Sequence, residues 1–87
     1  MPRARLKART RLKHLAHYIL EQHWAKQQPV TLLKIQMLCY LIDMEHYREH
    51  FRPLTGATYL AQAEGPRPIG WRYVVRSIAR RVGRRYE

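Results

Sequence analysis

The chain has one cysteine, one serine, one aspartate and four scattered glycines in its 87 residues. A lone Cys39 excludes an intrachain disulfide framework. Four separated glycines leave no Gly-rich phosphate loop. Catalysis needs a nucleophile or metal beside a tuned acid or base. Ser77 stands among arginines on an amphipathic segment, and Cys39 lies inside an apolar run, where it reads as a small buried hydrophobe. No enzyme is expected, and no cofactor. The longest apolar run, Ile35–Met44, is interrupted only by Gln36 and Asp43. It is far short of the roughly 20 residues needed to cross a bilayer. Met1–Lys13 is basic with no apolar stretch behind it, so it does not read as a secretory leader. A cytoplasmic setting without membrane contact is expected.

Acidic residues are also scarce. Against 6 Asp plus Glu stand 17 Lys plus Arg, for a formal net charge of +11. Such an excess draws polyanions, whether nucleic acid, an anionic membrane surface or an acidic protein face, and says nothing about fold. The 46% hydrophobic content is that of a folded chain.

Periodicity predicts an all-α domain of three helices with a buried central helix and one short β pair. Residues 1–11 read as a basic N-terminal arm, 12–83 as a single domain and 84–87 as a basic tail. The arm carries Arg3, Arg5, Lys7, Arg9 and Arg11. Basic charge is unfavourable at a helix N-terminus, which places the first helix start near Thr10. Leu12, Ala16, Leu20 and Trp24 form one i+4 ridge, widened by Leu15 and Ile19, with Lys13, His17 and Glu21 opposite. Gln27-Gln28-Pro29 stops this helix.

Thr31 is placed to N-cap the second helix, although Lys34 cannot complete a capping box. Because that helix is apolar nearly all round, it reads as the core element packed by neighbours on several sides. It continues through Glu45–His50, where one face turns polar. Arg52-Pro53-Leu54-Thr55-Gly56 is a turn, Ala57–Ala63 weakly suggests a strand, and Pro68 fits the first turn of the last helix. There Trp71, Val74, Val75, Ile78 and Val82 form one buried face. Arg72, Arg76 and Arg80 form a basic row, extended by Arg81, Arg84 and Arg85, and Gly83 ends the helix.

His46 and His50, four apart, share a helical face near Asp43 and Glu49, but no third ligand is evident and no metal is expected. Of six tyrosines, Tyr73 beside Arg72 and Arg76 is the best candidate for an exposed aromatic–basic patch. No DNA or RNA reading motif is complete.

Three segments in order give the sequence a family likeness. They are Leu33-Lys34-Ile35-Gln36-Met37-Leu38-Cys39-Tyr40-Leu41-Ile42-Asp43, the turn Arg52-Pro53-Leu54-Thr55-Gly56, and the loop Gly65-Pro66-Arg67-Pro68. Together with Leu15–Leu20 they resemble the Panacea domain family: its Leu/Lys-rich core helix running into a tyrosine and an acidic residue, its Pro-Leu-Thr-Gly turn and its Gly-Pro-Val-Pro loop. Leu12 to Trp71 takes part. Met37 replaces the usual second lysine, Arg67 replaces valine, and family domains continue further beyond the Gly-Pro loop. The resemblance implies an antitoxin-like protein, phage- or prophage-encoded, that neutralises a toxin or host-defence protein by binding it; anti-CRISPR-like inhibitors belong to the same size class.

The expected function is therefore binding. The expected partner is an acidic protein surface, a toxin or a host-defence protein. It would be met by Arg3, Arg5, Lys7, Arg9, Arg11, Arg67, Arg72, Tyr73, Arg76, Arg80, Arg81, Arg84 and Arg85. The other reading is a nucleic-acid-binding protein that sets the same arginines on phosphates.

Overall fold

The computed structural model describes residues 2–85, with side chains from Ala8 onward. Helix α1 spans Pro2–Ala25, α2 Leu32–His50 and α3 Trp71–Arg85; strands β1 (Tyr59–Leu60) and β2 (Arg67–Pro68) lie between α2 and α3. The protein is mainly α with one small antiparallel pair, as the periodicity predicts.

α1 begins at Pro2 rather than near Thr10, so the backbone of the expected arm is helical. Proline suits the first helical position, and Ala4, Leu6 and Ala8 are good helix formers. The dipole penalty for basic residues in the first turn, about 0.3–1 kcal/mol and screened by salt, is too small to stop such a segment. The helix ends at Ala25, and Gln27 turns the chain with a left-handed φ of 54°. Thr31 then caps α2 as expected: its hydroxyl oxygen accepts from the Lys34 N–H at 3.1 Å.

β1 and β2 pair Tyr59 with Pro68 and Leu60 with Arg67. Pro68 therefore belongs to a strand and not to α3, and it is fully buried. The sequence permits this because a two-stranded pair has an open edge, where a missing N–H leaves no ladder bond unmade. α3 runs through Gly83 to Arg85, so that glycine does not end it. Trp71, Val74 and Ile78 are buried, while Val75 and Val82 pack at the fringe.

The core centres on α1, which packs against both α2 and α3; α2 and α3 make little contact with each other. Leu12, Ala16, Ile19 and Leu20 of α1 meet Ile35 and Cys39 of α2 and the buried face of α3. The expectation that α2 is covered on several sides is not met. It buries only Ile35, Gln36, Cys39 and Asp43. Leu32, Leu33, Leu41, Met44 and Tyr47 are exposed. The reason is geometric: of the other two described helices, only α1 packs closely against α2.

What remains over α2 is the irregular segment 52–68, fixed by polar contacts. Asp43, only 4% exposed, accepts from the Thr55 N–H (3.0 Å), the Thr55 hydroxyl (2.7 Å) and the Tyr59 hydroxyl. Gln36 Nε2–H donates to the Pro66 carbonyl at 2.9 Å. Tyr59 stands edge-on to Tyr40, with ring centroids 5.1 Å apart. Gly65 closes the segment at φ +121°, and a Cβ there would lie 2.6 Å from Met37 Sδ. The α2 segment that carries the family likeness thus touches each of the other two directly, through Asp43–Thr55 and Gln36–Pro66.

Cys39 lies beneath this arrangement. Burial, reinforced by the nearby Asp43 charge, pushes its thiol up to about 12. The thiolate is the reactive form, so Cys39 is expected to resist alkylation at pH 8 in the folded protein and to react promptly in denaturant. Mass spectrometry after timed iodoacetamide treatment checks this. Rapid native labelling would show that the α1–α2 packing opens.

Candidate functional site

Two surfaces stand out, one apolar and one basic. The first is the outer face of α2. Leu33, Met37, Tyr40, Met44, Tyr47 and Phe51 recur at alternating steps of four and three, a spacing that draws one apolar seam along a helix. Tyr40 is held by Tyr59 and Met37 by Gly65, so the middle of the seam rests on a fixed base. Phe51 ends it in an unusual state. Its φ is 56°, in the left-handed region, its N–H donates to the Tyr47 carbonyl at 2.8 Å, and its side chain is 82% exposed. Glycine is the ordinary residue for such a cap. A bulky residue there is strained and displays its ring to water, two costs that point to a use for the ring.

His46 and His50 sit beside this seam with ring centroids 4.5 Å apart. His46 Nδ1–H donates to the Arg52 carbonyl at 3.0 Å, which ties the turn to α2. Among the described residues no three His, Cys, Asp or Glu side chains gather as a metal site.

The second surface is basic and lies along α1 and α3. Arg9 packs on the Tyr73 ring (5.1 Å), His17 meets Ser77, Glu21 pairs with Arg81, and Arg85 stacks over Trp24 (4.2 Å). Residue numbers rise together along both helices through these four contacts, so α1 and α3 run parallel, side by side. Beside this seam an open groove of about 590 Å³ is lined by Lys13, His14, His17, Tyr18 and Glu21 from α1 and by Ser77, Arg80, Arg81 and Arg84 from α3.

The hydrogen bonds at the groove floor fix a tautomer. The Ser77 hydroxyl donates to the Val74 carbonyl (2.7 Å), so its oxygen can only accept from His17 Nε2–H at 2.9 Å. Burial, the Arg81 guanidinium and the Lys13 ammonium hold His17 below its ordinary pKa, with Glu21 opposing them. The imidazole is therefore neutral at pH 7, and its environment is positive. Lys13, Arg80 and Arg84 have no carboxylate partner among the described residues.

The residues singled out in the sequence divide between places. Arg80, Arg81 and Arg84 meet in the groove. Arg72 and Arg76 are exposed elsewhere on α3. Arg9 and Arg85 are laid on aromatic rings. Arg11 borders a separate cleft with His14, Leu15, Leu54 and Thr55, while Arg67 lies near Glu64 and Trp71. The side chains of Arg3, Arg5 and Lys7 lie outside the described residues. Tyr73 is half-buried against the core under Arg9, so it is not the exposed aromatic of the basic face. Tyr18 holds that place, 58% exposed on the groove wall. Its neighbours Lys13 and His14 are legible in the sequence only as a polar face of α1; nothing local says that α3 lies alongside.

Among the described residues no helix is long and apolar enough to cross a membrane. Comparison with protein-family models, with curated proteins and with solved structures finds no match.

Proposed function

We propose that this is a non-catalytic binding protein, an antitoxin-like inhibitor of the Panacea type and of phage or prophage origin, that docks on an acidic toxin or host-defence protein. The observation that carries this reading is the α2 seam ending in the strained, exposed Phe51. An apolar helix face with anchors three and four residues apart is the form in which helices enter a partner's groove. Tyrosine, phenylalanine and methionine are enriched at such contacts. The charge of +11 selects the occupant: it repels a second copy and speeds encounter with an acidic protein. The contacts among the three resemblance segments support the same reading, because they brace the seam from behind. The serine hydroxyl is engaged with Val74 and the thiol is buried, which is in keeping with a binding role.

Tagged protein is incubated with bacterial lysate, with and without exhaustive nuclease, and retained proteins are identified by mass spectrometry. One acidic protein is expected at one-to-one stoichiometry after nuclease. Its retention is expected to fall at least tenfold in a Tyr47→Ala/Phe51→Ala variant whose melting temperature is not lowered, in line with about 2 kcal/mol for an anchor residue. Loss of all retained protein on nuclease treatment, or capture indifferent to the double variant, overturns the reading.

A further inference from the structure

The α1–α3 groove is distinct from the α2 seam and has different chemistry. Lys13, Arg80 and Arg84, without carboxylate partners among the described residues, come from two helices and converge on one trough. Glu21 does not neutralise them, because it is already paired with Arg81. The trough is open to solvent and about 590 Å³ in volume, so a chain can pass along it. Tyr18 offers a flat, exposed ring at its wall. Burial is the main cause of the lowered affinity of His17 for a proton, and the Arg81 and Lys13 charges beside it act in the same direction.

We propose that this groove binds the backbone of a single-stranded nucleic acid, with Lys13, Arg80 and Arg84 on consecutive phosphates and the Tyr18 ring stacked on a base. Each feature has a role in such a complex. Cations tracking a groove supply sequence-independent attraction, and an aromatic wall accepts any base face. A duplex fits less well, because its bases are already stacked and give Tyr18 nothing to face. An acidic peptide would use the cations but leave the ring idle. The inference does not depend on the α2 seam, and a molecule with both surfaces holds a protein and a nucleic acid at the same time.

The test is fluorescence anisotropy with 5′-fluorescein-labelled dT10, titrated across several salt concentrations. Three variants are compared with the full-length wild type: Arg80→Ala/Arg84→Ala, Tyr18→Ala, and a charge-matched control, Lys34→Ala/Arg52→Ala, away from the groove. The groove double variant is expected to bind at least tenfold more weakly. Its log–log salt slope is expected to flatten by about 1.4, at about 0.7 for each single-strand phosphate that is no longer neutralised. Tyr18→Ala is expected to lose about fivefold or more with an unchanged salt slope. The control is expected to stay within about twofold of wild type, with surface charges acting only weakly at a distance. An equal loss in the control, an unaltered affinity of Tyr18→Ala, or tighter binding of duplex dT10·dA10 than of dT10 overturns the proposal. So does failure of dT10 to bind at all. Loss of the protein partner from the Tyr47→Ala/Phe51→Ala variant leaves all these readings unchanged, so the two proposals fail separately.

Discussion

Asp43→Ala is expected to unfold most of the molecule at 37 °C. The carboxylate is buried and accepts three hydrogen bonds, from the Thr55 N–H, the Thr55 hydroxyl and the Tyr59 hydroxyl. Removing it leaves three donors without this partner, two of them on the buried Thr55. Each orphaned group costs about 1–3 kcal/mol. A small domain has about 5–15 kcal/mol in all, and an 87-residue chain belongs near the lower end. Each kcal/mol moves the melting temperature of such a domain by about 4–8 °C. Urea denaturation followed by circular dichroism measures the loss. Tyr59→Phe removes one hydroxyl and leaves the other bonds to Asp43, so it is expected to cost about 1–2 kcal/mol. Thr55→Val also takes the acceptor from the Ala57 N–H at 3.0 Å and is expected to cost more. An Asp43→Ala variant as stable as Tyr59→Phe would mean that the 52–68 segment is held by something other than this carboxylate.

Leu12→Ala is expected to cost about 2–5 kcal/mol, the range for emptying a fully buried leucine site. Leu12 is 0% exposed at the meeting of the three helices. Leu41, in the most apolar run of the sequence, is 54% exposed, and Leu41→Ala is expected to stay within about 0.5 kcal/mol of wild type. The same denaturation series decides between them. Equal costs would place the Leu41 face of α2 in the core as well.

That contrast marks where local spacing suffices and where it stops. The ridge of Leu12, Ala16 and Leu20, the cap at Thr31 and the buried row Trp71, Val74 and Ile78 follow from local spacing, and all three are found. Hydrophobic content alone overstates the burial of α2, because composition counts apolar residues without counting the neighbours that cover them. Leu33, Met44 and Tyr47 stay exposed because α1 is the only other described helix packed closely on α2, and the 52–68 segment with β2 covers α2 only in part. The start of α1 lies earlier than the charge pattern suggests, because good helix formers outweigh a weak dipole penalty. Of the groove, the arginines of α3 are legible as a row. Lys13 and His17 are legible only as solvent-side residues of α1, and Tyr18 reads there as a residue of the core edge, whereas it is 58% exposed. What joins the two sets is the parallel course of the helices, a tertiary fact with no local signature. Tyr73 goes to the core edge for the same reason: α1 brings Arg9 over its ring.

The parallel seam also orders the way the molecule assembles. His17 and Ser77 are 60 residues apart in the chain, whereas Asp43 and its donors are separated by only 12 to 16. Closing a longer loop costs more chain entropy, and contacts distant in sequence form late. The α2 unit with its bracing turn therefore takes shape before α3 reaches α1. On a ribosome the seam must wait until α3 has emerged, so α1 spends synthesis with part of its apolar ridge uncovered. The docking face of α2 is ready before the groove exists.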